Sequence, residues 1–90
     1  MPVMGFRRAE RVSFQVVDGR AFLLGPDGAE MIVVNEVGAM VWDALDRDDE
    51  ADSIARALLG EFDDVSVEQL EQDVRDFLDE LTGLGLVVST

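Results

Sequence analysis

Apolar and polar residues alternate with a period of two from Val12 to Val16, V-S-F-Q-V, the pattern of a strand buried on one face. Asp18-Gly19 follows, a dipeptide suited to a two-residue hairpin turn, whose two central positions need positive φ. Ala21 to Leu24 is then the returning strand, Gly25-Pro26-Asp27-Gly28 a second turn, and Glu30 to Val34 a third strand. At Asn35 the period changes. Val37, Met40, Val41, Ala44 and Leu45 fall at helical spacing and predict one apolar face of a helix from Glu36 to Asp46. Asn35 can cap that helix, because its side-chain oxygen can accept an orphan N–H of the first turn, so strand passes into helix with almost no loop. Trp42 lies off the stripe and is expected to pack on a neighbouring element.

After the acidic connector Asp46-Arg47-Asp48-Asp49-Glu50, a second helix is predicted from Ala51 to Phe62, with Ala51, Ile54, Ala55, Leu58 and Phe62 turned inward. Ser66-Val67-Glu68-Gln69 reads as a capping box, with Val65 placed to staple against Leu70. The third helix should continue to Thr82, with Gly83 as its left-handed stop and Val67, Leu70, Val74, Phe77, Leu78 and Leu81 as its buried stripe. A short extended tail, Leu84 to Val88, closes the chain.

Strands before Asn35 and helices after it predict an α+β fold, winged-helix-like, with a three-stranded antiparallel sheet followed by three helices. In the simplest meander the first and third strands are both edges. Ninety residues suffice for one modest core. Residues 1–11 are expected to form a flexible N-terminal arm and residues 12–88 a single domain.

Charge narrows the chemistry. Twenty acidic residues face seven basic ones, all Arg, for a net charge of −13. His, Cys, Lys and Tyr are absent, which removes most side chains that act as bases or nucleophiles near neutral pH. Without an imidazole or amine to activate them, the Ser and Thr hydroxyls are poor nucleophiles. The chain therefore reads as a non-enzyme with no cofactor. Zinc, haem and iron–sulfur sites lose their preferred ligands, and no D-x-[DN]-x-[DN]-G calcium loop is present. No apolar stretch approaches the roughly 20 residues that span a bilayer, and the Arg-bearing N-terminus lacks a secretory apolar segment, so no membrane partner and a cytoplasmic location are expected. Nucleic acid is excluded on charge: the third helix carries Glu68, Glu71, Asp73, Asp76, Asp79 and Glu80 against Arg75, a surface that repels phosphate.

That acidic face reads either as a solvated outer surface or as a docking face for a basic partner. Arg75 pairs with Glu71 or Asp79 along the helix, or else clamps a ligand carboxylate. Met31-Ile32-Val33-Val34 is apolar on both faces, yet it falls at a sheet edge with no second layer to cover it. Three occupants fit that edge: a second copy of the chain, the chain's own tail, or an extended peptide added as a fourth strand.

The ordered set V-V-N-E-V-G-A-M-V-W-D-A-L, S-I-A-R-A-L-L-G-E-F and L-E-Q-D-V-R-D-F-L-D-E-L, closed by G-L-V, resembles the PqqD family over about Val12 to Val88. The resemblance implies a peptide-recognition element of a ribosomally made, post-translationally modified peptide pathway. Such an element is a non-catalytic adaptor that binds a precursor's leader segment beside the third strand. It presents the precursor to a modifying enzyme, a radical SAM enzyme in pyrroloquinoline quinone synthesis or a leader peptidase in lasso-peptide pathways. Carried onto this chain, the strand wall is Met31, Ile32, Val33 and Val34, and the helix wall is drawn from Leu70, Val74, Arg75, Phe77 and Leu78, some of which must face the core. The competing readings are a structural or regulatory homodimer within an enzyme complex, and a subunit that activates an enzyme without touching its substrate.

Overall fold

The computed structural model describes residues 5–25, 28 and 31–89. In chain order they form β1 (Phe6–Arg8), β2 (Ser13–Val17), β3 (Arg20–Leu24), β4 (Met31–Val34), α1 (Glu36–Ala44), α2 (Ala51–Leu59), α3 (Val67–Gly83) and β5 (Val87–Ser89). The predicted α+β architecture is what is found. β2, β3 and β4 make an antiparallel meander in the order β2-β3-β4, with both outer strands as edges. The β2–β3 turn is the expected one, with Asp18 at φ 51° and Gly19 at φ 77°. Glu30, Pro26 and Asp27, which the sequence places in the third strand and second turn, lie outside the described residues.

Registration fixes which side chains meet the helices. Ala21 pairs with Val34 and Leu23 with Ile32, so these four share one face. Ala21, Leu23 and Val34 are buried there. Val33 and Met31, opposite Phe22 and Leu24, share the other face with Arg20 and Val17, and no helix among the described residues covers it. Under the inner face, Val41 and Trp42 of α1, Ile54 and Ala55 of α2, and Val74, Leu78 and Leu81 of α3 close the core. Each large apolar side chain buried this way contributes roughly 1.5–3 kcal/mol.

Caps set most helix boundaries. Asn35 Oδ1 accepts from Gly38 N at 2.9 Å, and Ser66 Oγ accepts from Gln69 N at 3.2 Å. The capping box is half-formed: the Gln69 amide donates to Asp73 Oδ1 and its oxygen accepts nothing from Ser66 N. α1 and α2 stop at Ala44 and Leu59, short of the expected Asp46 and Phe62. The end of α3 is a clearer correction. Gly83 is its last helical residue, and the left-handed residue is Gly85, at φ 78°. Gly85 N donates to Thr82 O and Leu86 N to Leu81 O, which is a Schellman close. Leu86, buried by that turn, is why the stop falls two residues later.

The N-terminal arm also needs correcting. Residues 1–4 lie outside the described region, but β1 is no loose arm: it pairs antiparallel with β5, Arg7 opposite Val88. Phe6 is buried, its N–H donates to Asp49 O at 2.7 Å, and Ala9 N donates to Leu86 O at 3.0 Å. Arg8 Nε and Nη2 donate to Trp42 O at 3.2 and 2.7 Å. That carbonyl belongs to the last turn of α1, where the helix itself supplies no donor and no basic residue. The guanidinium also lies over the Phe14 and Trp42 rings, at 4.6 and 5.0 Å from their centroids. Trp42 thus packs where its off-stripe position implied, on β1 and β2.

Candidate functional site

β4 has β3 on one side and no strand on the other among the described residues. In an antiparallel ladder alternate residues direct both backbone groups to the same neighbour, so half of β4's N–H and C=O groups point outward. The C-terminal tail does not cover them, because β5 is taken up by β1. That removes one of the three occupants the sequence allowed.

Beside this edge runs a groove between β4, α1 and α3. One half, a cavity of about 230 Å3, is lined by Ile32, Val33, Val34 and Asn35 on one side and Phe77, Glu80, Leu81 and Leu84 on the other. The second half, about 270 Å3, lies between Val37, Gly38 and Val41 of α1 and Asp73, Val74 and Phe77 of α3. Asn35 and Phe77 belong to both halves, so one runs into the other past the strand-to-helix junction. A further hollow of about 420 Å3 at the hairpin turn is lined by Asp18, Arg20, Asn35, Glu36 and Val37, and meets the groove at Asn35 and Val37.

Gly38 holds the two walls together. A Cβ at this position would stand 2.9 Å from Val34 Cβ and 3.1 Å from both Cε1 and Cζ of Phe77. The missing side chain lets the Phe77 ring lie against α1, where it forms the middle of the groove floor.

Of the residues singled out from sequence, Ile32, Val33, Val34, Val74 and Phe77 line the groove. Met31 stands exposed at the start of β4, outside both lining sets. Leu70 and Leu78 are in the core, the latter fully buried, so they support the helix wall from behind. Arg75 is placed elsewhere: its Nη2 bonds Asp52 Oδ1 of α2 at 2.5 Å, neither Glu71 nor Asp79. Two residues along a helix turn a side chain by about 200°, so Arg75 lies on the flank of α3 opposite Phe77. Sequence reasoning missed Asn35, Val37, Gly38, Val41, Asp73, Glu80, Leu81 and Leu84. The usable signal was the spacing 73, 77, 80, 84, a second helical row beside the buried stripe.

Chemically the groove offers apolar surface, a backbone edge, two carboxylates and an amide. No pair of lining groups has the make-up of a nucleophile and its base. Among the described residues no cluster of His, Cys, Asp and Glu is arranged to hold a metal, and no helix is long and apolar enough to cross a membrane.

The family described as Coenzyme PQQ synthesis protein D (PqqD) matches residues 20–87. The chain belongs to the PqqD family. The match spans the β3–β4 hairpin, all three helices and the start of β5, and so includes both walls of the groove. No curated protein matches the chain. Two solved structures share its fold closely. TbiB1 in complex with the TbiA(beta) leader peptide is 25% identical, at a TM-score of 0.81, over 90% of this chain and 93% of that one. A lasso peptide synthetase B1 complexed with the leader peptide is 23% identical, at a TM-score of 0.80, over 92% and 96% of the two chains.

Proposed function

We propose that this PqqD-family chain is a non-catalytic, cytoplasmic adaptor that binds the leader segment of a ribosomally made precursor peptide. The leader adds as a strand to the outer edge of β4 and lays alternate side chains into the groove, and the adaptor presents the rest of the precursor to a modifying enzyme. The observation that carries this reading is the unpaired edge of β4 bordering an apolar groove. The family membership and the leader-bound state of the two similar structures support it.

Magnitudes divide the work between backbone and side chains. Ordering a flexible leader costs roughly 2–5 kcal/mol. Two outward residues of a four-residue strand make at most four ladder bonds, each worth about 0.5–1.5 kcal/mol net. The ladder therefore roughly offsets the ordering cost, and net affinity must come from apolar anchors against Ile32, Val34, Phe77 and Leu81. Micromolar binding, about −8 kcal/mol, is the expected outcome. The adaptor would then raise the precursor's effective concentration at the enzyme, turning modification into a nearly intramolecular event. The partner is a leader peptidase or a radical SAM enzyme.

The test is an N-methyl scan. Apolar peptides selected on the immobilised chain are titrated by fluorescence anisotropy, with each backbone nitrogen methylated in turn. Strand addition predicts losses at alternate residues across about four positions. Binding without that period of two would rule out addition to β4.

A further inference from the structure

The groove's charge says which leader it takes, and this inference rests on the binding reading above. Of the residues that line its two halves, only Asp73 and Glu80 are ionised, and both are acidic. The Glu80 carboxylate has no hydrogen-bond or ion-pair partner among the described residues, and the Asp73 carboxylate accepts a single bond, from Gln69 Nε2 at 2.9 Å. No arginine lines either half, and three of the seven are engaged elsewhere: Arg8 at Trp42 O and Asp46, Arg47 at Asp43, Arg75 at Asp52. Arg20, in the hollow across Asn35, is accompanied there by Asp18 and Glu36. With −13 on the whole chain, an acidic segment entering this groove meets repulsion at long range and again at both carboxylates.

Spacing adds a constraint. Asp73 and Glu80 lie seven residues apart on one flank of α3, about 10 Å along the axis. An extended chain covers that distance in about three residues. Glu80 stands beside the stretch that would pair with β4, and Asp73 stands in the α1–α3 half that the chain enters on leaving the strand.

We propose that this groove selects a cationic leader, an apolar extended segment carrying two Lys or Arg residues about four positions apart, on the same face, that meet Glu80 and Asp73. The apolar floor supplies affinity. The two carboxylates supply register and reject acidic segments.

A library of displayed random 14-residue peptides, selected on the immobilised chain at 150 mM NaCl, tests this without a known precursor. Enriched peptides are resynthesised and titrated against the wild type, Asp73→Asn/Glu80→Gln, and Glu68→Gln/Asp79→Asn. The last variant removes the same charge from the far side of α3. The expected result is enrichment of apolar peptides with paired cations, weakened about three- to tenfold by the groove variant and less than about twofold by the control. Equal weakening by both variants would show attraction to the molecule's overall charge and overturn the proposal. Enriched peptides without a cation bias, still lost on alternate N-methylation, would overturn it while leaving strand addition standing. No enrichment at all would overturn both.

Discussion

Gly38→Ala sets two known effects against each other. In a helix Ala is favoured over Gly by about 1 kcal/mol, so an exposed position would gain stability. Here the new methyl would sit 2.9 Å from Val34 Cβ and 3.1 Å from two ring carbons of Phe77. Val34 Cβ is fixed to the backbone of β4 and cannot swing aside, and the ring is already held against the core. Overpacking of this kind costs roughly 1–3 kcal/mol. The balance is a net loss of about 1 kcal/mol, or some 4–8 °C in Tm for a domain of this size. Urea and thermal melts of both proteins measure it. Adding Phe77→Leu should recover part of the loss, because it removes ring atoms from the contact, and the double-mutant cycle should show coupling. Leader affinity should fall further than stability, since the displaced ring moves into the groove. A Gly38→Ala protein with a raised Tm would refute the packing argument.

Arg75→Glu should cost about 0.5–1 kcal/mol, a small effect because the pair with Asp52 is about half exposed, and it should leave leader affinity within about twofold. A large drop in affinity by a still-folded variant would return Arg75 to the site. Arg8→Ala removes a charged cap from α1 and a cation–π contact, so a loss of about 1–3 kcal/mol is expected by urea melt. A changed emission of Trp42, the chain's single tryptophan, should accompany it. An unaltered spectrum and melt would mean that the Arg8 side chain neither caps α1 nor stabilises the fold.

What could be read from sequence was local. The Asp18-Gly19 turn and the caps at Asn35 and Ser66 each act within four residues, and each is found where it was expected. The period of two marked the strand β2 but not its burial: all five of its residues are exposed, where one face was expected to be buried. What could not be read was decided across the fold. β1 and β5 are three residues each, too short for periodicity to mark, and they sit at opposite ends of the chain. Their pairing depends on Phe6 finding a buried place and Arg8 finding the end of α1. The choice between Gly83 and Gly85 turned on Leu86 reaching the core. Arg75 had two carboxylates at helical spacing and took neither, because Asp52 approaches from α2. The groove was half legible for the same reason: β4's apolar run showed its edge, but only packing decides which flank of α3 faces it.

The three flanks of α3 carry different constraints. Leu70, Val74, Leu78 and Leu81 hold the core, and two of them, Val74 and Leu81, also face the groove. Phe77 is tied to Gly38 by close contact and can change only together with it. Asp73, Glu80 and Leu84 line the groove but are solvent-exposed and bear no core packing, so substitution there alters what the groove admits at little cost in stability. The backbone edge of β4 accepts almost any extended chain, and the apolar floor is fixed by the needs of the fold. Discrimination between leaders therefore falls to the positions the fold does not need, and in this chain two of those three are carboxylates.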